Sequence, residues 1–397
     1  MTHRTVFFDP AGAVHPSLRQ LFDYPPEGYE FCVPDTFLNR KSGVMDGAMG
    51  LFWKMSGYFP LNHVPVRLAK ARLERFTRKP PPGTVLTLAY NHVVFRREPW
   101  ALQVEYPTML AGFRIEALRL ARHTLEKTLA SRWCGGILVW SEVARKSMLM
   151  NLDCRGFEGK IEIVPQAVQG KQFVKHYADD QCKLLFVGSA APGAFHTKGG
   201  KEVVEAFLRL RQKYSSVTLT LRSDVPEDIR RVCESMPSIK LIDKLIPRTE
   251  LEEEFKTSDI YLFPTLFPGQ DMSPLEAMSY ELPVVTTDFG GNPELVQDGV
   301  TGFVVPDSGR IPNYASNLVP AWATPLRSKC LVELRTVEET VVAGLVERVS
   351  QLIESPELRR KMGKAGRAQV DGGIFSIASR NAKLKAIFDR AAATTNR

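Results

Sequence analysis

The sequence predicts an α/β protein made of two doubly wound parallel-sheet domains. Three observations carry this. Short apolar runs alternate with amphipathic helical stretches along most of the chain, the pattern of parallel strands joined by crossover helices. The alternation lapses over the polar residues 166–182, which read as an interdomain linker. In residues 259–306, two strand-to-helix junctions follow one another at the carboxyl ends of two strands. Such junctions attract anions, because backbone N–H groups and the helix dipole point at one spot. A length of 397 residues suits two or three domains.

Each element follows from local pattern. Thr5–Phe8 is a short apolar strand and residues 9–12 its loop. His15–Phe22 suits a helix and Tyr29–Val33 a second strand, while residues 35–65 show no regular pattern. Val66–Lys79 is a basic amphipathic helix, with Leu68, Leu73 and Phe76 set against Arg67, Lys70, Arg72, Arg75, Arg78 and Lys79. Pro80-Pro81-Pro82-Gly83 ends it. Strands are expected at Val85–Leu88 and Trp100–Val104, then helix Arg114–Ser131, strand Ile137–Trp140, helix Glu142–Met150 and strand Ile161–Val164. Beyond the linker, Leu184–Val187 is a buried strand closed by Gly188. A loop over 189–197 leads through Lys198-Gly199-Gly200 into helix Glu202–Tyr214. Strand Val217–Leu221 and helices Glu227–Glu234 and Leu251–Lys256 follow. Residues 307–333 look irregular, and helices Val337–Glu354, Pro356–Val370 and Ile374–Ala392 end the pattern.

Residues 259–306 carry the most specific signal. Ile260–Phe263 is a run suited to a strand buried on both faces, followed by a loop with Pro264, Pro268 and Gly269. Ser273 is a good N-cap, Pro274 suits the first helical position, and Glu276 completes a capping box. Leu282–Thr287 is a second buried strand, and Gly290-Gly291-Asn292-Pro293 turns into another short helix. The order and spacing of Ser258-Asp259, Pro264, Leu275-Glu276-Ala277-Met278, Pro283-Val284-Val285, Gly290-Gly291, Pro293-Glu294, Val296, Asp298-Gly299 and Gly302 resemble the donor-binding half of family 4 retaining glycosyltransferases. The resemblance covers roughly residues 135–392, and residues 1–130 share only the layout. It implies the GT-B fold, two Rossmann-like domains facing across a cleft. Residues 1–170 would form the acceptor-side domain and 180–372 the nucleotide-sugar domain, with a helix in 374–397 packing back on the first.

The resemblance also implies roles. Glu276 would hold the ribose diol, since a carboxylate accepts two hydrogen bonds from such a diol; its residue context alone equally allows the capping role. Lys198 would neutralise the departing diphosphate, although a solvated surface lysine is the ordinary alternative. Peptide N–H groups near Met272 and Ser273 would face the β-phosphate, and those of Gly269 to Asp271 the sugar. Gly188 and Ser189 belong to the same donor site. The chain departs from the family twice. Pro268 stands where the family has the first Glu of Glu-x7-Glu, and Asp271 is the nearest carboxylate to replace it. Ser189 stands where the family has an Arg, and His196 is one candidate to replace that cation. Glu105 follows the strand ending at Val104, where the family often has a His. A carboxylate there would stabilise oxocarbenium charge; pairing with an arginine is the alternative. His92 is a weaker candidate.

Composition bounds the rest. A net charge of +8 favours anionic partners. The six cysteines are scattered without Cys-x-x-Cys, which fits a reducing cytoplasm. No apolar run approaches the roughly 18 residues of a membrane span, and Met1–Asp9 lacks a signal-peptide core. The helix Val66–Lys79, beside Leu51-Phe52-Trp53 and Tyr58-Phe59, suggests peripheral docking at the inner membrane face, with a merely solvated helix as the alternative. No nucleic-acid-binding module is present. No Asp-x-Asp pair occurs, so metal-independent transfer without a cofactor is expected. The implied function is transfer of a sugar from a nucleotide-sugar donor to a hydroxyl on a glycan or lipid-linked acceptor, with retention. The rival is a degenerate member that binds a nucleotide sugar without turning it over.

Overall fold

A computed structural model describes residues 3–10, 18–33, 64–177, 181–188, 194–267, 269 and 271–393. Ser189, Pro268, the aromatic stretch 51–59 and the start of the helix expected from His15 lie outside the described residues. The chain divides into two units. The first holds residues 1–166, 315–325 and 378–397; the second holds 167–314 and 326–377. Residues 315–325, expected inside the second unit, are thus part of the first.

The first unit is built on a six-stranded parallel sheet. Its strands are β1 (Arg4–Pro10), β2 (Tyr29–Cys32), β3 (Thr84–Tyr90), β4 (Trp100–Gln103), β5 (Cys134–Val139) and β6 (Ile161–Ile163), in the order β2-β1-β3-β4-β5-β6. The direction of winding reverses between β1 and β3. At the carboxyl ends of those two strands lies a buried charged cluster. Asp9 is 1% exposed and pairs with Arg78 at 3.0 Å and Arg96 at 3.3 Å. His92 Nε2 donates to the Asp9 carbonyl at 2.8 Å. Burial acts to raise the Asp9 pKa, but the His92 hydrogen bond and the neighbouring cations hold it below the ordinary carboxylate value.

The helix Ile377–Ala392 completes this core. Leu384, Ile387, Phe388 and Ala391 pack among Val6, Phe8, Tyr29 and Leu88. Two glycines of β5 admit it: a Cβ on Gly135 would lie 2.4 Å from the Ala391 backbone, and one on Gly136 would lie 2.5 Å from the Ile387 side chain. The segment 315–325 is held by Asn317, whose amide donates to the Asn151 side chain at 2.7 Å, and by Trp322, whose ring lies 6.0 Å from Phe113.

The second unit repeats the plan. Its strands are β7 (Cys182–Val187), β8 (Val217–Arg222), β9 (Ile239–Ile242), β10 (Ile260–Phe263), β11 (Val284–Thr287) and β12 (Gly302–Val305), in the order β12-β11-β10-β7-β8-β9. That is the dinucleotide-binding order, with its reversal between β7 and β10. Every residue of β10 and β11 is buried, as the continuous apolar runs predict. Several elements escaped the sequence reading, among them β12 and the short helix Ala194–Thr197 inside the expected loop 189–197. β9 is a four-residue edge strand whose Lys240 interrupts its apolar run. The irregular stretch 307–333 contains the helix Arg327–Glu333, which buries only Cys330 and so shows no apolar stripe. All six cysteines are free. Among the described residues, no helix is long and apolar enough to cross a membrane.

Candidate functional site

Open α/β sheets bind ligands outside the carboxyl ends of their strands, where the winding reverses. In the second unit that place lies between β7 and β10, and most of the expected site residues stand around it. Gly188 follows β7 and is tied to the end of β8: its N–H donates to the Arg222 carbonyl at 2.8 Å, and the Arg222 guanidinium donates to the Gly188 carbonyl at 3.1 Å. Lys198 and Gly199 form the turn before the helix Gly200–Lys213. Gly199 has φ +74°, and an added Cβ would lie 2.0 Å from the Pro264 carbonyl oxygen, so the turn sits directly against the end of β10.

The loop after β10 brings Asp271 to Lys198. Their charged atoms are 2.5 Å apart, and both side chains keep partial exposure, 19% for Lys198 and 28% for Asp271. Met272 ends this loop and Ser273 begins the helix Ser273–Ser279. Gly269 is half-buried in the same loop. Ser273 reaches the Tyr261 hydroxyl, which also donates to the Val187 carbonyl at 3.4 Å.

The expected capping box does not form. The helix begins at Ser273, Met272 takes the N-cap position in helical conformation, and no side chain caps it. Glu276 instead turns to Arg248, 2.9 Å away. A charge-assisted bond to a guanidinium is stronger than one to a peptide N–H, which accounts for the preference. Arg248 also bonds Glu252 at 3.2 Å, and Glu252 bonds Lys171 at 2.7 Å. Burial raises the Glu276 pKa above the usual carboxylate range despite Arg248.

Arg248 and Arg222 are site residues that sequence reasoning missed. Arg248 stands at the start of a helix rich in charged residues, so nothing in that sequence singles it out. Arg222 ends β8, and its position beside Gly188 depends on strand order. Its Nε is buried without a hydrogen-bond partner among the described residues, and burial lowers its pKa. The surroundings of His196, the candidate substitute cation, disfavour its charged form. Burial and the nearby Lys201 push its pKa below the ordinary histidine value.

Glu105 belongs to the first unit, half-buried just after β4. Together with burial, its charge raises the pKa of the Tyr90 hydroxyl at the end of β3. His92 is committed to the Asp9 cluster.

Residues 181–320 match the model of the family described as glycosyl transferases group 1. Over 150 residues the chain is 24% identical to alpha-maltose-1-phosphate synthase of Mycolicibacterium smegmatis, covering 38% of this chain and 32% of that one. Over 96 residues it is 36% identical to sucrose synthase of Melioribacter roseus, covering 22% of this chain and 12% of that one. The chain thus spans a third or less of these two relatives. Anabaena HepE, solved in complex with UDP, superimposes with a TM-score of 0.59 at 13% identity, over 97% of this chain and 99% of that one. That likeness gives the fold: two α/β domains of the GT-B type.

Proposed function

We propose that this protein is a glycosyltransferase that moves a sugar from a nucleotide-sugar donor to a hydroxyl acceptor. The observation that carries the proposal is the placement of Lys198, Asp271 and Glu276 around the β7/β10 reversal of a dinucleotide-type sheet, inside the stretch that matches the family model. Glu276 accepts hydrogen bonds from the ribose diol, with Arg248 holding its carboxylate. Lys198 and Arg222 meet the diphosphate charge together with peptide N–H groups at Met272 and Ser273. Asp271, beside Gly269, binds a sugar hydroxyl in place of the carboxylate that Pro268 lacks.

Transfer proceeds with retention. The acceptor hydroxyl approaches on the leaving-group side, its oxygen bonds to the anomeric carbon as the bond to the diphosphate breaks, and its proton passes to the departing diphosphate oxygen. Glu105 stabilises positive charge at the anomeric carbon. Because the chain has no Asp-x-Asp pair, the leaving-group charge is assigned to these cations and N–H groups, and transfer is expected to persist with a chelator. The acceptor is a hydroxyl on a glycan or a lipid-linked sugar.

The changes at Pro268 and Ser189 favour one second reading, a nucleotide-sugar binder without turnover. A thermal-shift screen of UDP-, GDP- and ADP-sugars, followed by product analysis with the donor that binds, separates the two. Binding with transfer or hydrolysis supports the enzyme. Binding with neither supports the degenerate member, and stabilisation by no nucleotide sugar removes both.

A further inference from the structure

One arginine of the first unit carries a charge that no carboxylate balances. Arg67 stands in the first turn of the helix Val66–Thr77, partly buried against the carboxyl ends of β3 and β4. Its Nη1 donates to the Asn91 carbonyl, just after β3, at 3.2 Å. The same nitrogen donates to the Met109 carbonyl, in the turn Pro107–Leu110 after β4, at 3.0 Å. The guanidinium lies 4.0 Å over the Phe113 ring. Nε and Nη2 have no hydrogen-bond partner among the described residues, and neither atom is sealed from solvent. Arg78 and Arg96 of the same unit share Asp9, but Arg67 forms no ion pair among the described residues. Burial pushes its pKa down to about 10, as expected of a cation short of counter-charge.

Joining two turns needs only Nη1. A guanidinium held on an aromatic ring, with its Nε–Nη2 edge free, presents two parallel N–H groups that match the two oxygens of a carboxylate or phosphate. A charge taken from water without a partner is costly, and an anion that completes the pair relieves that cost. Position names the molecule that brings the anion. Glu105 lies between the end of β4 and the turn Pro107–Leu110, and Tyr90 ends β3. The Tyr90 hydroxyl feels both charges, the negative one of Glu105 and the positive one of Arg67. Arg67 thus stands on the sheet edge where ligands of α/β proteins bind, beside the carboxylate assigned to the reacting carbon. We propose that Arg67 binds a carboxylate or phosphate on the acceptor, so that the acceptor is an anionic sugar. The identity of the ligand rests on the proposed function, whereas the anion site is tested without sugar transfer.

The full chain, with excess UDP present to occupy the donor-side cations, is titrated by calorimetry with methyl glucuronide, glucose 6-phosphate and methyl glucoside. At least one charged sugar is expected to bind about ten-fold or more tightly than methyl glucoside. The tighter of the two charged sugars identifies the anion as carboxylate or phosphate. Arg67→Gln should weaken binding of that sugar about ten- to hundred-fold and leave methyl glucoside unchanged. Arg67→Lys keeps a cation for the two carbonyls but loses the paired N–H groups, so its affinity should fall between the two. It also carries the test if the glutamine variant does not fold. Equal binding of all three sugars by the parent overturns the proposal. So does a preference for the charged sugar that survives undiminished in the Arg67 variants, which would mean that Arg67 only joins the two turns. Failure of UDP to bind would count against the donor site alone, because the Arg67 variants read the anion site directly.

Discussion

On the proposed function, Lys198 changes partners when a donor arrives. Its ammonium is held by Asp271 at 2.5 Å, and on the proposed reading a diphosphate takes over that charge. The two residues should therefore separate by experiment. Lys198→Met should weaken nucleoside-diphosphate binding about ten- to hundred-fold, the loss of one charged hydrogen bond. Asp271→Asn should leave nucleoside-diphosphate affinity at least as high as in the parent while lowering turnover about ten-fold, because only the sugar loses a partner. Calorimetry with UDP beside initial rates would decide it, and parallel losses in both variants would mean a purely structural pair. Glu276 carries a different signature. Its folded pKa is raised, so the ionised form costs folding free energy at neutral pH, and that cost is relieved as pH falls through the raised value. Glu276→Gln should keep the fold and weaken nucleotide-sugar binding about ten- to hundred-fold. Unchanged donor affinity would end the ribose assignment.

Two turns fix where these side chains stand. Gly199→Ala should destabilise the second unit by about 2 kcal/mol or more, since a positive φ and a contact with the Pro264 carbonyl both oppose a side chain. In the first unit, Asp9→Asn removes the carboxylate that Arg78 and Arg96 share, leaving them Glu74 and Glu98, and should cost about 1.5–3 kcal/mol in a denaturant titration. Because the folded pKa of Asp9 is depressed, its contribution is present above the ordinary carboxylate value and is lost as pH falls through the folded one. Apart from β9 and β12, the strands of both sheets were legible from their apolar runs. The partners of the site residues were not. Glu276 reads locally as half of a capping box, and only the fold brings Arg248 from 28 residues earlier to its carboxylate. Arg222 likewise reaches Gly188 because β8 lies beside β7, a neighbour relation that local periodicity does not encode.

Over the whole molecule, neither unit is one continuous stretch of chain. The first takes residues 315–325 and 378–397 from beyond the start of the second. A chain ending at residue 376 would lose Leu384, Ile387, Phe388 and Ala391 from the first unit's core, together with Asp389, which receives the Tyr29 hydroxyl at 2.8 Å. Such a truncation should expose β1 and β2, bind a hydrophobic dye and unfold at lower temperature, while the second unit keeps its affinity for nucleoside diphosphate. Unaltered thermal unfolding would show the helix to be dispensable.

The same interleaving sets an order of events on the ribosome. Residues that come first in synthesis usually fold first. Here the residues of the helix that seal the first core, Leu384 to Ala391, are translated after all of residues 167–377, so the second unit can close while the first still waits. During that interval the apolar faces of β1 and β2 have no permanent cover, and the nascent chain is most open to misassembly through its N-terminal third.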